Sequence, residues 1–127
     1  MPDPIRKIAL SRYAVQRFAA HPELEAEVAA GCAPFSAAEI AQALEGARRD
    51  EETAFKRRLR LLRQRVLLRT MARDLAGGID DPARLADVCR ATSALAEASI
   101  RAALDWLGES DLIVVAMGKL GGRELNV

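Results

Sequence analysis

Residues 112–117 (LIVVAM) are the one stretch of this chain with strand length and strand composition, and no second such run stands beside them as a partner. An isolated strand, or even a single hairpin, is marginal in water. Any core this chain builds must therefore come from helices. Ala, Leu and Arg are abundant and aromatics are only 4%, which is helix-forming composition. A length of 127 residues, 50% of them apolar, allows one domain with a modest core. The expected fold is mainly α. A helical region over residues 1–108 leads into a first strand and a glycine-rich loop at residues 109–127, the opening of an α+β unit that reads as the front part of something larger.

The helices can be placed from periodicity and punctuation. Residues 5–20 read as one helix, with Ile8, Tyr13 (or Arg12), Val15, Phe18 and Ala19 sharing much of one face. His21-Pro22 ends it, because proline disfavours helical geometry in the residue before it and suits the first turn of the next helix. Residues 23–30 form a short helix stopped by Gly31. Ser36 and Glu39 spell a capping box, and a helix follows to about Ala47 with Ile40 and Leu44 inward. Residues 50–76 make a long helix closed by Gly77-Gly78. Its apolar stripe starts with Leu59, Leu62 and Val66 and continues, rotated, through Leu68, Met71 and Leu75. Asp81-Pro82 opens the last helix, with aspartate as cap and proline at the first position. There Leu85, Val88, Thr92, Leu95, Ser99, Ala102 and Trp106 step by threes and fours to Gly108, as a core seam does.

Charge and cysteine usage narrow the function classes. Lys plus Arg is 19 and Asp plus Glu is 18, a formal charge of +1. That balance argues against a dedicated nucleic-acid binder while leaving room for a local basic face. Such a face is suggested on the long helix, where Arg57, Arg58, Arg60, Arg63, Arg65, Arg69 and Arg73 cluster. It reads either as a patch for an anionic partner or as a solvated surface partly offset by Asp50-Glu51-Glu52. Cys32 and Cys89 lie far apart and His21 is the single histidine, so no zinc spacing exists. The N-terminus lacks a signal-peptide core, and no apolar run has the length of a membrane span. A cytoplasmic protein is the expectation, with His21 a helix-boundary residue.

The chemistry-bearing feature is the turn after the apolar run: Gly118, Lys119, Leu120, Gly121, Gly122. Strand-then-glycine brings backbone N–H groups close to a phosphate. It is not a Walker A loop, because Ile113 stands where glycine is required and Leu120 where Ser or Thr is. Nor is it a dinucleotide fingerprint, since position 120 is not glycine. On chemistry alone it is either a phosphate cradle or an ordinary turn in which glycine supplies positive φ.

The segment MGKLGGREL resembles the opening of the nucleotidyltransferase domain in the bacterial glutamine synthetase adenylyltransferase (adenylyl-removing enzyme) family, a branch of the polymerase β-like nucleotidyltransferases. Gly118, Lys119, Leu120, Gly121, Gly122, Glu124, Leu125 and Asn126 fit it. Residues 20–24 (AHPEL), 59–69 (LRLLRQRVLLR) and 95–107 (LAEASIRAALDWL) agree less specifically. Asn126 and the position near the start of the chain favour the adenylyl-removing half.

The resemblance implies transfer of AMP from ATP to a tyrosine of glutamine synthetase, and phosphate-driven removal of that AMP as ADP. It implies Mg²⁺ as cofactor in the full-length protein and a P-II type signal protein as a further partner. Nucleotide and phosphate contacts would fall to Gly118, Lys119, Gly121, Gly122 and Arg123. Lys119 stands where the superfamily usually has serine, so a hydroxyl contact is not carried over. The local alternative for Arg123 and Glu124 is a mutual surface salt bridge. The family's metal carboxylates, in a Ser-Ser-Asp-x-Asp continuation, have no counterpart among these 127 residues. No catalytic or metal residue is therefore expected here, and the chain alone is expected to be inactive. The alternative is a non-catalytic helical interaction module whose basic helix binds an acidic partner or RNA. Residues 112–127 are expected to lack a native neighbour.

Overall fold

The computed structural model describes residues 3–77 and 80–126. The described chain is helical: α1 (Pro4–Ile8), α2 (Arg12–Ala20), α3 (Pro22–Ala30), α4 (Ala37–Ala43), a 3-10 turn (Ala47–Arg49), α5 (Glu52–Ala76), α6 (Pro82–Leu107) and the single turn α7 (Gly118–Gly121). The two long helices α5 and α6 pack on each other, and the short helices close around α5.

Local chemistry explains the boundaries. The helix expected over residues 5–20 is two helices, because Ser11 turns its hydroxyl to the Ala14 N–H at 3.3 Å and starts α2 afresh. A cap at that position competes with helix continuation. The break re-aims the second face, so Ile8, Ala14 and Phe18 are buried while Tyr13 and Val15 are exposed. His21 ends α2 and precedes Pro22 at the start of α3. The capping box is present in full: Ser36 Oγ accepts from the Glu39 N–H and Glu39 Oε2 from the Ser36 N–H. That helix stops at Ala43, short of the expected Ala47, and Gly46 at φ 74° feeds the 3-10 turn. Asp50 stands outside α5 and spends its carboxylate on Arg58, 2.7 Å away. Asp81 caps α6 through the Ala83 N–H, and Gly108 closes it in the left-handed region. The end of α5 falls at Ala76, with Gly77 as its cap; Gly78 lies outside the described residues.

The core is two clusters with α5 between them. Ile8, Ala14, Phe18, Leu24, Val28, Leu68 and Ala72 form one. Phe35, Ile40, Leu62, Val66, Ala91 and Leu95 form the other. On α5 the pairs 62/66 and 68/72 are each four residues apart and so lie on one face each. The two faces point to different clusters, which is the origin of the rotated stripe in the sequence. Phe55 stacks on Trp106 with ring centroids 5.1 Å apart, and Trp106 Nε1 donates to the Asp50 carbonyl at 2.8 Å. This pins the start of α5 to the end of α6. Cys32 and Cys89 are free and half-buried.

The expected strand is not formed. Residues 112–117 are irregular, with their side chains exposed and with no ladder among the described residues. A strand exists only by pairing, and the described residues hold no strand to pair with this run. The expected glycine-rich loop is instead a short helical turn.

Candidate functional site

The candidate site begins at Gly118, whose φ of 61° turns the chain into α7. The turn closes on itself: the Gly122 N–H donates to the Gly118 carbonyl at 3.0 Å, Arg123 to Leu120 at 3.1 Å and Glu124 to Lys119 at 2.7 Å. Gly121 is required by space, since a Cβ there would lie 2.6 Å from the Ala116 carbonyl oxygen. Gly118 is favoured by its dihedral. Gly122 carries neither demand, with no atom closer than 3.6 Å to its Cβ position. Arg123 itself stands at φ 57°, uncommon for a residue with a side chain.

The five residues singled out from sequence thus share one compact turn, but its two cations engage different partners. Lys119 Nζ donates to Asn126 Oδ1 at 3.3 Å. Arg123 pairs with Glu97 of α6 at 3.5 Å, not with the neighbouring Glu124. The Thr92 hydroxyl donates to the Leu125 carbonyl. Residues 123–126 therefore lie back on α6, where residues 112–127 had been expected to find no neighbour; Val127 is outside the described residues. Thr92 and Glu97 were not singled out as site residues. The available signal was the polar hydroxyl at a seam position, Thr92, where the period calls for an apolar side chain.

The arginine-rich helix divides into two sets. Arg58 binds Asp50, Arg65 binds Glu27 at 2.9 Å and Arg73 binds Asp87 at 2.6 Å. Arg69 is buried, donating to the Ala33 carbonyl at 2.7 Å and to Glu39 at 2.7 Å, with its guanidinium 4.2 Å from the Phe35 ring centroid. The Arg69 hydrogen bond, reinforced by the Ser36 N–H, pulls the Glu39 carboxyl from its ordinary 4.5 down to about 2. Arg58 and Arg73 likewise lower the carboxyls of Asp50 and Asp87 by hydrogen bonding. These four arginines hold the fold. Arg57, Arg60 and Arg63 are exposed.

Mg²⁺ takes oxygen ligands in near-octahedral geometry, usually through one or two carboxylates. The carboxylates beside the turn are Glu124 and Glu97, and Glu97 is already paired with Arg123. No three acidic, histidine or cysteine side chains converge among the described residues. The residues present do not fit the metal, and no step is routed through it.

With this geometry in view, the comparisons with known proteins decide the family. A family model described as glutamate-ammonia ligase adenylyltransferase matches residues 5–127, the turn included. The chain belongs to that family. Bifunctional glutamine synthetase adenylyltransferase/adenylyl-removing enzymes are its relatives. That of Nitrosomonas europaea is 42% identical over 97 residues, 61% of this chain and 10% of the relative. That of Ralstonia nicotianae is 39% identical over 120 residues, 78% of this chain and 12% of the relative. That of Aromatoleum aromaticum is 31% identical across the whole chain, which is 15% of the relative. The chain spans between a tenth and a seventh of these relatives' length. No solved structure matches it. Among the described residues no helix is long and apolar enough to cross a membrane.

Proposed function

We propose that this chain serves within an enzyme that attaches AMP to a tyrosine of glutamine synthetase and removes it again with phosphate, and that it belongs to the adenylyl-removing half. In this reading residues 1–108 are a helical platform and residues 109–127 open the transfer domain. The turn formed by Gly118, Lys119, Gly121, Gly122 and Arg123 faces nucleotide and phosphate. The observation that carries the reading is a family match over residues 5–127, which takes in this turn. The turn's chemistry supports it: one backbone position with room only for glycine, a second whose positive φ favours it, and two cations in the same turn. Mg²⁺, ATP or ADP, phosphate and a P-II type signal protein are the ligands and partners the reading assigns to the whole enzyme, in the cytoplasm. The 127-residue chain by itself does not turn over in this reading, because no three acidic, histidine or cysteine side chains converge among the described residues and phosphoryl transfer needs its charge neutralised by metal.

A chimera tests this. These residues replace the matching segment of the Ralstonia nicotianae relative, and phosphate-dependent ADP release from adenylylated glutamine synthetase is measured. The chimera retains the reaction and the isolated chain shows none. A folded chimera without ADP release, beside an active parent, overturns the proposal.

A further inference from the structure

The structure contains a basic, apolar-lined cavity that the turn's proposed role leaves unused. Four arginines of α5 reach carboxylates on other segments. Arg60 and Arg63 have no carboxylate within ion-pairing distance among the described residues, and both line a cavity of about 480 Å³ between α5 and α6. That is the size range of small-molecule sites. Leu59, Leu67, Leu95 and Ala96 give it an apolar lining, Ser99 adds a hydroxyl, and no carboxylate lines it. A second cavity of about 530 Å³, between α4 and α6, makes the contrast: carboxylates of Glu97 and Asp105 share its lining with Arg48 and Arg101, and Arg48 pairs with Asp105. Of the two, only the first is lined by cations with no carboxylate beside them.

Residues three apart on a helix are surface neighbours, so Arg60 and Arg63 present two guanidinium groups side by side. Like charges so placed repel unless an anion lies between them, and the planar fork of each guanidinium matches phosphate oxygens. Asn126 also lines the cavity and holds Lys119 Nζ at 3.3 Å, which brings a third cation to the same side. We propose that this cavity binds an organic phosphate with a flat apolar body, the chemical class of a nucleoside phosphate. Arg60 and Arg63 hold the phosphate, and the leucines of α5 and α6 cover the ring. The choice of an adenine nucleotide as probe rests on the functional reading above; the preference for an anion with an apolar body does not.

The test is calorimetric titration of the 127-residue chain with ADP and, separately, with inorganic phosphate. ADP binds, and phosphate alone binds at least about tenfold more weakly because it leaves the apolar lining uncovered. Arg60→Gln/Arg63→Gln weakens ADP binding by about tenfold or more. Ser99→Leu, which fills the cavity without touching its charge, weakens it as well. Circular dichroism establishes that each variant is folded. No heat with ADP at millimolar concentration overturns the proposal. So does ADP binding that survives in Arg60→Gln/Arg63→Gln but is lost in Gly121→Ala, which assigns the nucleotide to the turn and leaves the functional reading standing. Failure of that reading is a separate event, an inactive chimera, and does not alter the titration.

Discussion

Arg69 is the residue on which the packing of three segments converges. Its guanidinium satisfies the Ala33 carbonyl of the connector, neutralises Glu39 of α4 and covers the Phe35 ring. Replacing it with methionine keeps the stem but leaves that carbonyl without its donor and takes the cation from Glu39, which retains the Ser36 N–H. The expected loss is about 2–3 kcal/mol in urea unfolding, against less than about 0.5 kcal/mol for the exposed Arg57→Gln. Glu39 supplies a pH signature of the same contact. Its folded pKa is depressed, so the unfolded chain takes up the proton first as the solution is acidified. The stability it contributes is whole above 4.5 and is lost as pH falls towards about 2. Glu39→Gln should flatten the decline of stability across that interval, measured as the urea midpoint against pH. An unchanged slope would remove Glu39 from the account of acid sensitivity. At this scale the sequence is legible where one residue does one local job, as with the capping box and Asp81. It is not legible where a side chain works at long range. Nothing adjacent to Arg69 or Arg123 in sequence indicates Glu39 or Glu97 as the partner, and the seven arginines of α5 look alike until the fold sorts them.

At the scale of elements, the helices follow from period and punctuation, and the errors have identifiable causes. Ser11 was a cap hidden in a helix-compatible run, and Gly46 shortened α4 by turning left-handed. The strand failed for a non-local reason. Residues 112–117 have the composition of a strand, but pairing depends on a neighbour that no property of the run itself supplies. The exposed run and the turn are joined to the helices chiefly by the contacts of Thr92 with Leu125 and of Glu97 with Arg123. Removing residues 109–127 should therefore cost only about 1–2 kcal/mol and leave the helical circular-dichroism signal per residue undiminished. Collapse of the remaining helices on that truncation would show that the tail is integral to the core.

For the molecule as a whole, stability and chemistry occupy different places. Two buried clusters share α5 as their common wall and hold residues 5–107 together. The turn that carries the functional reading stands outside both, shaped by two glycines with distinct demands. Its candidate residues were readable from sequence because they lie within six consecutive positions. Their engagement with α6 was not, since it depends on where the helical seam ends up. A division of this kind predicts that damage to the turn abolishes function without unfolding the chain. The direct measurement is phosphate-dependent ADP release by the chimera carrying Gly121→Ala, together with its thermal midpoint. A Cβ at position 121 collides with the Ala116 carbonyl, so ADP release should fall about a hundredfold while the midpoint stays within a few degrees of the parent. Full activity in that variant would contradict the assignment of the turn to nucleotide and phosphate.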